Sequence, residues 1–368
     1  MGDRSLYLGL ISGTSADAID AALVAFDGTT PRCLATAATP YAPALQARIL
    51  DLALGRVGAD FDRCGALDVE IGEAFAAAAE SLIRASGVDR NRIRAVGSHG
   101  QTLWHRPDAS PPFSVQLGDP NVIAERLRLC TVADFRRRDI AAGGQGAPLA
   151  PAFHDAFLAS PTEARAVLNL GGIANLTLLV PGEPVRGFDT GPASALMDAW
   201  CQTHTGATFD RDGQWAAQGR VLDGLLARLA ADPYFPRPAP KSTGRETFQL
   251  QWLREHLEGS EDSADVQATL LALTAQTVAS ALHRECAGAR RVIACGGGVH
   301  NPQLMAALRH ALAPVRLETS DLYGLDPDYV EAMLFAWLAR ETLEGRPGNR
   351  PEVTGARGAR VLGAIYPG

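Results

Sequence analysis

Asp189 is the side chain with the most chemical promise in this sequence. It lies in GFDTGPASALMDAW, Gly187 to Trp200, directly after an apolar strand end and before a helix whose first turn holds Pro192. A carboxylate at the carboxyl edge of a strand can take a proton from a nucleophile, whereas its commonplace role is to cap the following helix. Thr190 could cap instead, which leaves Asp189 free for general-base work. Two polar clusters could hold a substrate. In SHGQTLWH, His99, Gln101 and His105 offer hydrogen bonds suited to sugar hydroxyls and Trp104 offers a stacking face, although the commoner fate of such histidines is structural. In DFRRRD, Arg136 and Arg138 offer planar forks for a carboxylate, flanked by Asp134 and Asp139, while Arg137 reads as part of a solvated ion network.

Phosphate chemistry is suggested by two apolar hairpins. In YLGLISGTSADAIDAALVAF, Leu6, Leu8 and Leu10 alternate before the turn and Ala22, Val24 and Phe26 after it, the period of a strand. Gly13 allows close backbone approach, Thr14 and Ser15 offer hydroxyls and amides to phosphate oxygens, and Asp17 or Asp20 could hold a magnesium ion through water. AVLNLGGIANLTLLV repeats the scheme, with Gly171 and Gly172 in the turn and Asn175 after it. Each alone reads equally well as an ordinary hairpin; together they suggest one nucleotide clamped between two halves. A third segment, RRVIACGGGVHNP, ends a buried strand in Gly296, Gly297 and Gly298, which permits the flat contact an adenosine needs, and Asn301 and Pro302 then cap a helix starting near Gln303.

Other nucleotide and metal motifs fail. KSTG, Lys241 to Gly244, lacks the preceding glycines of a Walker loop, and GGGVHN does not fit GxGxxG. DRDG from Asp210 opens like a calcium loop, but its twelfth position is Val221 where a glutamate is needed. His99 and His105 find no third ligand for zinc. A net charge of -7 and a pI near 5.6 argue against nucleic acid. Cys33, Cys64, Cys130, Cys201, Cys286 and Cys295 are scattered without a CxxC pair and read as reduced thiols. The amino terminus does not resemble a signal peptide, and no apolar run approaches membrane-spanning length, so a cytoplasmic location is expected.

These residues need a scaffold. At 368 residues, 46% of them hydrophobic, the chain can form two domains with a binding cleft between them. Apolar strands alternate with alanine-rich helical stretches, which favours an α/β class. Strands are expected at 93–96, 129–133, 167–170 and 291–294, and helices at 69–86, 266–282 and 329–343. SHGQTLWHRP reads as a loop, and proline and glycine between Gly143 and Pro151 mark a boundary or active-site loop. The expected domains are 1–160 and 161–368.

GTSADAID, GSHGQTLWH, DFRRRDIAAGGQGAPLAPAFH, NLGGIANLT, GFDTGP, PKSTGRETF, GGGVHNP and VTGARGARVLGAIYPG occur in the order, and over nearly the whole chain, that resembles the anhydro-N-acetylmuramic acid kinases. The resemblance implies an actin-like ATPase fold, two duplicated ribonuclease-H-like domains around an ATP cleft, and a cytoplasmic homodimer acting in bacterial cell-wall recycling. It implies a reaction in which water opens the 1,6-anhydro bridge of the sugar at the anomeric carbon and the released O6 takes the γ-phosphate of ATP, with magnesium as the metal. By the same resemblance Asp189 matches the catalytic carboxylate. Gly13 to Asp20 and Gly171-Gly172 match the phosphate turns, Gly296 to Gly298 the adenosine loop, and Arg136 the sugar-side motif, where it is expected to face the lactyl carboxylate. Alternatives are a kinase for another anhydro sugar such as levoglucosan, a chaperone-like ATP switch, or a catalytically impaired regulator. Four positions depart from the family pattern: Ala18 and Ala193-Ser194 replace the usual glycine and Gly-Asn, and Gln249 replaces a common asparagine. A positive φ at Ala18 would add strain of about 1 kcal/mol.

Overall fold

The computed structural model describes residues 6–26, 30–244 and 247–368. They form two compact units, Met1–Phe157 with Tyr323–Gly368, and Leu158–Leu322. In the first unit β1 (Leu6–Ser12), β2 (Ala18–Ala25) and β3 (Arg32–Pro40) make an antiparallel meander, and β4 (Ile93–Arg106) pairs in parallel with β1 on the other side. β5 (Phe113–Leu117) folds back on β4, and β6 (Thr131–Ala133) continues the sheet in parallel. The second unit repeats the plan. β7 (Arg165–Leu170), β8 (Ile173–Leu179) and β9 (Arg186–Pro192) form the meander, and β10 (Arg291–Cys295) and β11 (Arg316–Thr319) extend it in parallel from β7. Counting only this shared set within each unit, the strand order is 3-2-1-4-5 in both, so the fold is α/β with a duplicated core.

Every residue of β1 is buried because both faces of that strand are covered. Leu6, Leu8 and Leu10 pack with Ile71 and Phe75 of the helix Phe61–Ser86. On the other face Gly9 and, on the adjacent strand, Gly97 lie against the backbone of the helix Val330–Leu343, where an added Cβ would collide with the carbonyls of Ala332 and Phe335. That helix is buried on nearly all sides, which its almost uninterrupted apolar sequence requires. The last strand, β12 (Ala364–Tyr366), then pairs with β6.

The division differs from a single boundary at 160. The chain leaves the first unit after Phe157 and returns to it at Tyr323, because the glycine-lined sheet face needs the carboxyl-terminal helix to cover it. SHGQTLWHRP is strand rather than loop: residues 101–106 find main-chain partners in β5, which a single-segment reading cannot see. Pro192 closes β9, and the helix that follows, Ser194–Thr205, starts two residues later.

Candidate active site

Asp189 sits within β9, directly opposite Asn175 of β8, which in turn stands opposite Asn169 of β7. The register therefore places three half-buried polar residues in a row across one face of the sheet. Neither Asp189 nor Thr190 caps the following helix. The N-cap is Ala193, which makes no side-chain bond, and Thr190 Oγ1 donates to the Ala174 carbonyl at 3.1 Å. The capping role is thus removed from Asp189.

The KSTG segment holds this carboxylate. The Thr243 amide donates to Asp189 Oδ2 at 2.9 Å, the Asp189 amide donates to the Lys241 carbonyl at 3.0 Å, and the Tyr234 hydroxyl donates to the Asp189 carbonyl at 2.9 Å. Burial raises the Asp189 carboxyl above its ordinary range, opposed by the Thr243 amide and the Lys241 charge. A carboxyl so raised is a better proton acceptor once ionised.

The neighbouring turn is tied to the helix that follows Asp189. Carbonyls of Gly171 and Gly172 accept from the amides of Ser194, Ala193 and Ala195 at 3.1, 3.0 and 3.2 Å, and Ser194 Oγ donates to Gly171 at 3.1 Å. The Ala193-Ser194 pair therefore anchors the turn through a hydroxyl. Gly297 and Gly298 line a cavity of about 430 Å³ with Ser194, Met197, Asp210 and Asn301. Gly296 does not line it; with φ +83° it turns the chain against Asn169, where any Cβ would clash. Asn301 caps the helix Pro302–Leu312 through Gln303 and Leu304, as its position predicts. Gln267 lines the same cavity and its Oε1 is buried without a partner, a contribution hidden in the alanine-rich helix Ser263–Glu285. Gln249 precedes the helix Leu250–Arg254 and makes no side-chain cap.

In the first unit Gly13 and Thr14 are exposed at the tip of the β1–β2 hairpin and Ser15 is half-buried. The Gly13 carbonyl accepts from the Ala16 amide at 3.0 Å and from Gln101 Nε2 at 2.9 Å, and Tyr41 donates to Gln101 Oε1 at 3.4 Å. Gln101 is engaged in shaping this turn. The positive φ of the hairpin, +51°, falls on buried Ala16, while Ala18 is in regular strand opposite Pro40, so the strain anticipated at Ala18 is absent. Asp17 is exposed and accepts from Gln46 at 3.2 Å. Asp20 is half-buried; burial and the charges of Glu331 and Asp328 push its carboxyl up to about 6. Among the described residues no three His, Cys, Asp or Glu side chains come together as a metal site.

Arg136 donates Nε–H to His99 Nε2 at 2.9 Å and Nη1–H to the Gly146 carbonyl at 2.8 Å. His99 Nδ1 faces the Gly100 carbonyl at 2.9 Å, so these partners assign a neutral ring with its proton on Nδ1. Burial and the Arg136 charge hold its pKa well below the usual value, consistent with that form. Both ring nitrogens are engaged inside the protein, as is His105 Nδ1 with Ser114 at 3.0 Å. Arg137 pairs with Asp134 at 3.0 Å. Sequence reasoning passed over Glu331, whose carboxylate acts on both Arg136 and Asp20. Its one signal is a lone charge opening the apolar run VEAMLFAWLA. His99, within β4, also borders a cavity of about 320 Å³ with Ser98, Asp119, Asp134, Arg137 and Tyr366.

A family model described as anhydro-N-acetylmuramic acid kinase matches residues 5–368. The chain belongs to that family. A protein of that name from Xanthomonas axonopodis pv. citri (strain 306) is 59% identical over 369 residues, covering 99% of each chain. One from Coxiella burnetii (strain Dugway 5J108-111) is 48% identical over 367 residues, covering 99% of this chain and 98% of its own. Among solved structures, the activator of 2-hydroxyisocaproyl-CoA dehydratase from Clostridium difficile with bound ADPNP aligns with 92% of this chain and 97% of its own, at 13% identity and a TM-score of 0.46. The anhydro-N-acetylmuramic acid kinase family thus accounts for residues 5–368, including the PKSTGRETF block whose Thr243 amide bonds Asp189.

Proposed function

We propose that this protein is an ATP-dependent kinase that opens the 1,6-anhydro ring of anhydro-N-acetylmuramic acid with water and phosphorylates O6, yielding N-acetylmuramic acid 6-phosphate and ADP in cell-wall recycling. The observation that carries the reading is Asp189 in a member of this family: a carboxylate released from helix capping, held through Oδ2 and left with Oδ1 to accept a proton. It would take that proton from the attacking water, a contribution of about 100-fold to 10,000-fold. As the bond from the anomeric carbon to O6 breaks, O6 becomes the nucleophile for the γ-phosphorus, and in-line placement supplies much of the remaining acceleration.

ATP would be bound through the amides and hydroxyls of Gly13, Thr14 and Ser15, the Gly171-Gly172 turn with Asn175, and the cavity beside Gly297 and Gly298. Magnesium, which neutralises phosphate charge when bound, would be held through water by Asp17 and Asp20; the carboxylates around Asp20 make a setting that a cation relieves. Arg136 retains Nη2 as a donor for the lactyl carboxylate. The proposed setting is a cytoplasmic homodimer, as the resemblance implies.

Mass analysis of product made in oxygen-18 water tests the chemistry: label is expected at C1 and none in the phosphate. Asp189→Asn should abolish sugar phosphorylation while ATP binding stays within about twofold. Normal turnover by that variant would refute the assignment.

A further inference from the structure

The Lys241 side chain closes a ring of contacts around Asp189. Its Nζ donates to the carbonyls of Tyr234 and Phe235 at 3.2 and 2.9 Å and sits 4.4 Å from the centre of the Tyr234 ring. The Tyr234 hydroxyl reaches the Asp189 carbonyl, and the Lys241 carbonyl takes the Asp189 amide proton. The main chain of Asp189 is therefore gripped on both sides by two residues that also grip one another, and Thr243, two residues on, fixes one oxygen of its side chain. An ammonium that makes two carbonyl bonds and a cation–π contact has little freedom, so it presents a fixed charge to the carboxylate.

We propose that Lys241 and Tyr234 are positioning residues for the reaction: they hold Asp189 so that Oδ1 alone meets the attacking water and keep its carboxylate ionised. This inference rests on the assignment of Asp189 as the base. The step served is balanced as follows. The water oxygen bonds to the anomeric carbon and its proton passes to Asp189; the electron pair of the broken carbon–oxygen bond leaves on O6. O6 then takes the phosphoryl group from ATP, ADP departs, and the proton is returned to solvent.

The charged groups facing Lys241 are Arg237, Arg284, Glu285 and Asp189, while Asp189 meets the Thr243 amide and Lys241. The positive charge of Lys241 favours the anion, so removing it must move the acid limb of the kcat profile to higher pH. The test uses full-length Lys241→Met, Lys241→Arg and Tyr234→Phe, with circular dichroism and thermal melts as a folding check. Lys241→Met is expected to lower kcat about tenfold or more, with KM for ATP and sugar held within about twofold, and to raise the acid limb; Lys241→Arg should restore the limb. Tyr234→Phe, which deletes one hydroxyl, should lower kcat without moving the limb. A folded Lys241→Met enzyme with an unmoved limb, or losses confined to KM, would overturn the proposal. If Lys241→Met does not fold, unchanged kcat in Tyr234→Phe overturns it. Asp189→Asn is assayed in parallel: if it is dead while the Lys241 and Tyr234 variants behave as wild type, the clamp fails and the base assignment stands.

Discussion

At Arg136 the guanidinium is already committed in two directions, to His99 and to the Gly146 carbonyl, which leaves end-on rather than forked contact for a substrate carboxylate. Arg136→Ala is expected to cut kcat/KM for the lactyl-bearing sugar about tenfold to 100-fold, the worth of one charge-assisted hydrogen bond, and to affect a lactyl-free analogue less. Equal losses on the two substrates would show that Arg136 acts through His99 and the loop. Sequence reasoning singled out Asp189 because a charge between an apolar strand end and a helix start is visible in one dimension, and Arg136 because the DFRRRD cluster offers a fork and resembles the family's sugar-side motif. It could not see that His99 and Gln101 spend their polar atoms on the protein, since both partners, Arg136 and Gly13, are distant in the chain. Lys241 was hidden for the opposite reason: it belongs to a motif whose familiar reading, a phosphate loop, does not apply.

Among the secondary-structure elements, the helix Val330–Leu343 reaches the sheet only because Gly9 and Gly97 leave room for its backbone. Gly9→Leu is expected to cost about 3 kcal/mol or more, since the side chain would have to displace a helix backbone rather than a flexible neighbour. A melting temperature within a degree or two of wild type would show that the helix can shift. A second tie is Asp139, fully buried, whose carboxylate accepts from the Gly146 amide at 2.8 Å, Asn349 Nδ2 at 2.6 Å and Thr354 Oγ1 at 2.8 Å. It explains why the VTGARG block near the carboxyl terminus accompanies DFRRRD: the two form one buried polar network. The hairpins β1–β2 and β7–β8 and the long helices were legible from their periodicity, whereas β3, the third strand of the first meander, was not. The length of β4 was not, because a polar strand is stabilised by its β5 partner and not by its own pattern.

For the whole molecule, the first unit is assembled from both ends of the chain, so a fragment ending at Leu322 lacks the helix that covers β1 and β4. Such a fragment is expected to be protease-sensitive within residues 1–157 while residues 158–322 resist; equal resistance of both parts in limited proteolysis would contradict this. Composition, strand periodicity and the order of eight motif blocks determined the α/β class and the family, and singled out Asp189 as the proposed proton acceptor, because each is carried by residues close together in the chain. Only the tertiary structure decided which unit the last 46 residues complete, that Ala16 rather than Ala18 takes the positive φ, and that Glu331 acts on Asp20 and Arg136 in the first unit while, in the second, Gln267 lines the glycine cavity and Lys241 bonds Asp189. Those outcomes depend on contacts between distant segments, which become favourable only when burial and hydrogen bonding together outweigh the entropy of closing the chain between them.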